Sequence, residues 1–178
     1  MKYILSLLFV FGMFLSPAHA TPISQEIAQQ YYQNCKAKQD QRFSAKAQDQ
    51  FCACTASQLM TSYTLEDMQA TAGQDQAARD AINKMVINVY APCIQYPATE
   101  YHYRSCISNP KTKALGNPEK LCQCAASQVA SHLKANAAGM FRQILQTNPN
   151  VTDPMQALYD NPQFQEFAQS KLMGCVLN

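Results

Sequence analysis

The sequence predicts an all-α fold: two tandem, disulfide-stapled helical bundles, each with three main helices and additional short ones. Three observations carry this expectation. Eight cysteines fall into two quartets, Cys35, Cys52, Cys54 and Cys93, then Cys106, Cys122, Cys124 and Cys175. Each quartet centres on a Cys-x-Cys step that runs into Ala-Ser-Gln: Cys52-Ala53-Cys54-Thr55-Ala56-Ser57-Gln58 and Cys122-Gln123-Cys124-Ala125-Ala126-Ser127-Gln128. Apolar residues recur at three- and four-residue spacing, and no stretch alternates over the length a strand needs. Tyr31-Tyr32-Gln33-Asn34-Cys35 is answered by His102-Tyr103-Arg104-Ser105-Cys106. The expected division is a leader over residues 1–20, a first repeat over 21–97 and a second over 98–178.

The leader has the marks of an export signal. Lys2 gives a positive start, Ile4 to Leu15 is mostly apolar, Ser16-Pro17 breaks the run, and Ala18-His19-Ala20 supplies small residues for a peptidase. A bilayer span takes about 20 apolar residues, more than this run offers. Cleavage after Ala20 would start the mature chain at Thr21, in the periplasm or outside the cell. No later segment is apolar enough to suggest integral membrane association.

The helices are expected in this order. Ile27, Ala28, Tyr31 and Cys35 share one stripe, with Ser24 and Glu26 suited to opening it. Cys52, Ala56, Leu59 and Tyr63 mark a second helix. Thr64 with Asp67 forms a capping pattern for a short third one, and Glu66-Asp67 suits a helix's positive first turn. Ala78, Ile82, Met85, Val86, Val89 and Cys93 form the next stripe, which Pro92 and Pro97 should close. Glu100 to Cys106 reads as a shortened counterpart of the first helix. Asn117-Pro118-Glu119 is a strong helix start, with a cap, proline at the first position and an acid in the first turn. That helix carries Cys122, Ala126, Val129 and Leu133. Met140, Phe141, Ile144 and Leu145 predict a separate extra helix, followed by a loop from Asn148 to Pro154. Phe164, Phe167, Ala168, Leu172 and Cys175 make the closing helix.

A Cys-x-Cys step inside a helix turns its two sulfurs about 200° apart, toward different neighbours. Two disulfides per quartet are therefore expected, tying both outer helices to the middle one; rotation alone leaves the partner of each cysteine open. An even cysteine count in an exported chain favours such bonds. Halves of about 80 residues have small cores that benefit from staples. Closing roughly 18 residues contributes about 3 kcal/mol, and roughly 40 to 50 about 4 kcal/mol.

Composition argues against several function classes. The chain carries a net charge of +2 at pH 7, with acids and bases scattered. That balance gives no reason to expect a nucleic acid partner. No glycine-rich phosphate loop is present, and Ser57 and Ser127 lack the glycines of a nucleophile elbow. A zinc site needs four converging ligands, yet beyond the leader only His102 and His132 add to the cysteines. Cu(I) would need thiolates together with Met60 or Met140, which sit on apolar stripes. A solvated or helix-end position is expected of His132. No catalytic residue, metal or cofactor is therefore predicted. Rival expectations are a thiol-redox or copper-handling protein using the Cys-x-Cys pairs, and a small lipid or peptide carrier.

The strongest surface signal is aromatic. Tyr96, Tyr101, His102, Tyr103 and Arg104 crowd the junction of the halves, and tyrosine and arginine are enriched at binding hot spots. They would either cement the halves together or line a groove for a protein or small ligand. The segment 136–161 is the main asymmetry between the halves and a second place for specificity. Taken with the leader, the repeated C…CxC…C helical units resemble small exported cysteine proteins of Gram-negative bacteria, including type II secretion substrates. That resemblance implies a non-enzymatic interaction factor acting in the periplasm or at a host surface, with virulence as its setting. The quartet spacing departs from that of six-cysteine saposin-like lipid binders.

Overall fold

The computed structural model describes residues 20–115 and 117–176; the expected leader lies outside these residues except for Ala20. Local chemistry sets the helix starts. Ser24 Oγ accepts the Ile27 N–H at 3.3 Å and opens α1 (Gln25–Ala37). Ser44 does the same for Ala47 at 3.2 Å, opening α2 (Ala45–Ser62). Thr64 and Asp67 cap each other reciprocally, at 3.1 and 3.0 Å, at the head of α3 (Leu65–Ala70). Asp75 accepts from Ala78 N at 2.9 Å ahead of α4 (Gln76–Met85). After α5 (Gln95–Ser108) and the single turn α6 (Pro110–Lys113), Asn117 accepts from Lys120 N at 3.1 Å to start α7 (Pro118–Thr147). Asp153 and Asn161 cap α8 (Pro154–Tyr159) and α9 (Pro162–Val176), each at 3.0 Å. Each such cap is worth about 1 kcal/mol.

The two prolines expected to end a helix do not end it. From α4 the backbone passes through a π-helical turn over 86–90 and a 3₁₀ turn over 91–93 into α5. Pro92 falls inside the tightened turn, and Pro97 in the first turn of α5, where N–H groups lack intrahelical partners anyway. Packing holds the path helical: Ala91, Cys93, Ile94 and Ala98 are all 1% exposed or less. Consequently α5 is not a shortened element; it has 14 residues against 13 in α1.

The extra helix expected around Met140 is not separate either. α7 runs unbroken for 30 residues, because Ala137, Phe141 and Ile144 extend the buried stripe of Val129 and Leu133. Gly139 sits where a side chain would meet nothing within 4 Å, so it interrupts no packing. Two residues expected on apolar stripes, Met60 and Ile82, instead face outward.

The main core gathers around α7. Phe43, Ala47, Val86 and Ile94 from the first half pack with Leu133, Phe141, Leu158 and Phe164 from the second. A smaller cluster joins Ile23, Ala28, Leu59, Tyr63 and Val89. Among the described residues the only extended pairing is one antiparallel bridge, Pro22 to Thr64.

The disulfides tie each middle helix to both neighbours and resolve the open pairing. Cys35 bonds Cys52 and Cys54 bonds Cys93, with Cα–Cα distances of 5.7 Å. Cys106 bonds Cys122 at 5.6 Å, and Cys124 bonds Cys175 at 6.1 Å. Both quartets pair first with second and third with fourth. Because α2 starts at Ala45, its Cys-x-Cys step lies about two turns into the helix rather than at its start.

A candidate binding cleft between α5, α8 and α9

One cleft of about 380 Å³ opens where α5, α8 and α9 meet. Helical spacing assembles it. Tyr101, His102, Ser105 and Asn109 project from successive turns of α5 and its C-cap; Phe164, Ala168 and Leu172, four residues apart, form the apolar floor along α9. Gln165 and Gln169 edge that floor, while Gln156, Tyr159 and Asp160 close the side formed by α8. The Cys106–Cys122 bond ties the α5 wall to α7.

The walls are fixed by packing and hydrogen bonds. Tyr159 donates its hydroxyl proton to the Ala98 carbonyl at 2.9 Å. Its ring lies 4.2 Å from Tyr101, centroid to centroid, and meets Phe164 edge-on at 5.2 Å. Gln165 Nε2 donates to the Tyr159 carbonyl at 2.8 Å, and Gln156 Nε2 to Asp160 Oδ1 at 2.8 Å. Burial raises the Tyr159 hydroxyl well above the ordinary phenol range, so it stays a proton donor. Burial also pushes the His102 imidazole below its usual value, leaving it neutral at pH 7. Its Nε2 is enclosed, with no hydrogen-bond partner.

Support reaches the cleft from the first half. Arg42, in the loop between α1 and α2, donates to Asp40 at 2.6 Å and to Asp153 at 2.8 Å. Asp153 is the residue that caps α8, so this guanidinium holds the start of a cleft wall. Hydrogen bonds from Arg42 keep the Asp40 carboxyl below its ordinary range against the opposing effect of burial.

The five residues singled out from the sequence do not share one face. Successive helical residues turn about 100°, so a contiguous aromatic run is spread around α5. Tyr101 and His102 enter the cleft. Tyr96 lines a different groove, of about 230 Å³, with Ser44, Lys46 and Glu100. Arg104 is exposed and pairs with Glu100 at 2.6 Å, and Tyr103 lines neither groove. The asymmetric segment 136–161 supplies Gln156, Tyr159 and Asp160, so it meets Tyr101 and His102 at one place. The contribution of α9 was not anticipated; its signal is Gln165 and Gln169, one turn apart on the edge of an apolar helix.

Other expected chemistry takes a different form. His132 is partly exposed, as a solvated position implies, but it is not at a helix end: it stacks on Phe167 at 3.8 Å in the middle of α7. All eight cysteines are disulfide-bonded, and the two members of each Cys-x-Cys step bond different partners. Neither step is itself a dithiol. Among the described residues no three His, Cys, Asp or Glu side chains converge as metal ligands. No described helix is long and apolar enough to cross a membrane. No family model, curated protein or solved structure matches the chain.

Proposed function

We propose that this chain is an exported, non-enzymatic binding protein that engages its partner through the α5–α8–α9 cleft. Four disulfides suit an oxidising compartment, the periplasm or the cell exterior. The observation that carries the binding role is the convergence of Tyr101 and His102 with Gln156, Tyr159 and Asp160 in one walled cleft. Its volume lies within the range of about 300–1,000 Å³ typical of ligand pockets. Two tyrosine rings packed at a tilt of 49° beside side-chain amides, with Asp160 the carboxylate on the walls, suit an uncharged polar or aromatic group such as an exposed peptide side chain. The resemblance to secreted cysteine proteins extends this role to a partner on a host surface.

Photocrosslinking tests it. The exported protein carries a photoreactive residue at Gln169 in one sample and at Gln29, on α1, in another. A partner captured from Gln169 and not from Gln29, and lost with Tyr101→Ala, supports the cleft. Equal capture from both positions rejects it.

A further inference from the structure

We propose that Glu66 is a binding site for the α-ammonium group created at Thr21 when the leader is removed. This rests on the export reading and goes beyond it, because it assigns the new terminus a place in the fold. The Thr21 nitrogen lies 3.2 and 3.0 Å from the two carboxylate oxygens of Glu66, donating to both. The Thr21 carbonyl accepts from Leu65 N at 2.9 Å, and Pro22 bridges to Thr64. Ile23 then enters the core at 4% exposure, beside Leu59 and Tyr63. The chain is thus fastened at residues 21–23, while Ala20 and Thr21, on either side of the expected scissile bond, are exposed.

Processing changes what Glu66 holds. Hydrolysis breaks the Ala20–Thr21 C–N bond. Water gives its hydroxyl to the Ala20 carbonyl carbon and a proton to the Thr21 nitrogen, which takes up another from solvent. A single neutral N–H becomes a cation with three donors, and the hydrogen bond to Glu66 becomes charge-assisted. Glu66 is prepared for this. Hydrogen bonds from Thr21 hold its carboxyl down at about 2, and its place in the first turn of α3 favours the ionised form. The other charges on the packed elements differ in role. Asp67 caps Thr64 and pairs with Lys84, and Glu26 lies in the first turn of α1. The mature terminus therefore locks into a slot that the precursor occupies only through its amide.

The test uses exported protein whose first residue has been sequenced. The α-amine is titrated by its pH-dependent acetylation, followed by peptide mapping, in the wild type, Glu66→Gln and Glu26→Gln. The wild-type amine should titrate about one unit above the ordinary range of about 7.7–8.0, and only Glu66→Gln should return it there. An amine that starts at Thr21 and titrates alike in the wild type and Glu66→Gln overturns the site while leaving export intact. A first residue other than Thr21 overturns the expected cleavage position and the site with it.

Discussion

Tyr159 reaches across 61 residues of chain to donate its hydroxyl proton to the carbonyl of Ala98, at 2.9 Å. This contact joins the short helix α8 to the first turns of α5 and so fixes two walls of the cleft relative to each other. Tyr159→Phe keeps the ring and loses the donor, and should cost about 1 kcal/mol. Tyr159→Ala also removes a largely buried ring that packs on Tyr101 and Phe164, and should cost about 3–5 kcal/mol. Urea unfolding of the two variants checks both figures. Equal losses would show that the ring contributes nothing beyond its hydroxyl.

The disulfides should dominate the stability of the chain. Bonds closing 17 and 16 residues contribute about 3 kcal/mol each in the chain-entropy model, and those closing 39 and 51 about 4 kcal/mol each. Replacing Cys54 and Cys93 together by alanine should therefore cost about 4 kcal/mol, and Cys106 with Cys122 about 3 kcal/mol. Intact mass after alkylation should show no label on native protein and one on every cysteine after reduction. Labelled thiols in native protein would revive thiol or copper chemistry for the Cys-x-Cys steps.

Among the described residues Arg42 makes the ion pair that spans the most chain, since Asp153 belongs to the opposite half. The side chains involved are each about a third exposed, which limits the stabilisation to about 1 kcal/mol. Arg42→Ala should lose that amount and more of it at low ionic strength than at high. Arg42→Lys should recover little, because one ammonium does not reproduce a planar fork spanning two carboxylates. Chemical denaturation of both variants at two salt concentrations measures this.

Acid should weaken the fold in a window set by histidine before the carboxylates respond. Burial lowers the pKa of His102, so the folded state prefers the neutral ring. At about pH 7.5, a unit above the ordinary histidine value of about 6.5, both folded and unfolded chains hold it neutral, and stability is complete. As pH falls through about 6.5 the unfolded chain takes up a proton that the folded chain refuses. Stability declines until the lower folded-state value is passed. His132 shifts the same way, through burial and the neighbouring Lys171. His102→Gln should flatten part of the decline between pH 7.5 and 5.5, and adding His132→Gln most of the remainder. An unchanged decline in the double variant would place its origin elsewhere.

What was legible in the sequence was mostly local. The caps at Ser24, Thr64 and Asn117 are contacts between a side chain and backbone three residues away, and each forms as its motif implies. Cysteine periodicity likewise implied two bonds per quartet, joining outer helices to the middle one. Pairing within each quartet was not legible, because it depends on the handedness with which helices pack. Pro92 and Pro97 misled for a related reason: their local preference to end a helix yields to the burial of Ala91, Ile94 and Ala98. The cleft was half visible. Tyr101 and the 136–161 segment stood out individually, but their meeting is made by α9, whose Phe164 and Ala168 look like ordinary core.

The order of the disulfides has a consequence for how the molecule is made. Each bond joins two cysteines that are consecutive along the chain, 35 to 52, 54 to 93, 106 to 122 and 124 to 175. A chain threaded through a membrane from its N-terminus presents its thiols in that sequence. An oxidant that joins each newly arrived thiol to the one still waiting generates the native set at the first attempt, with no bond to be undone. Biogenesis should then depend on an oxidising catalyst and be indifferent to loss of a disulfide isomerase.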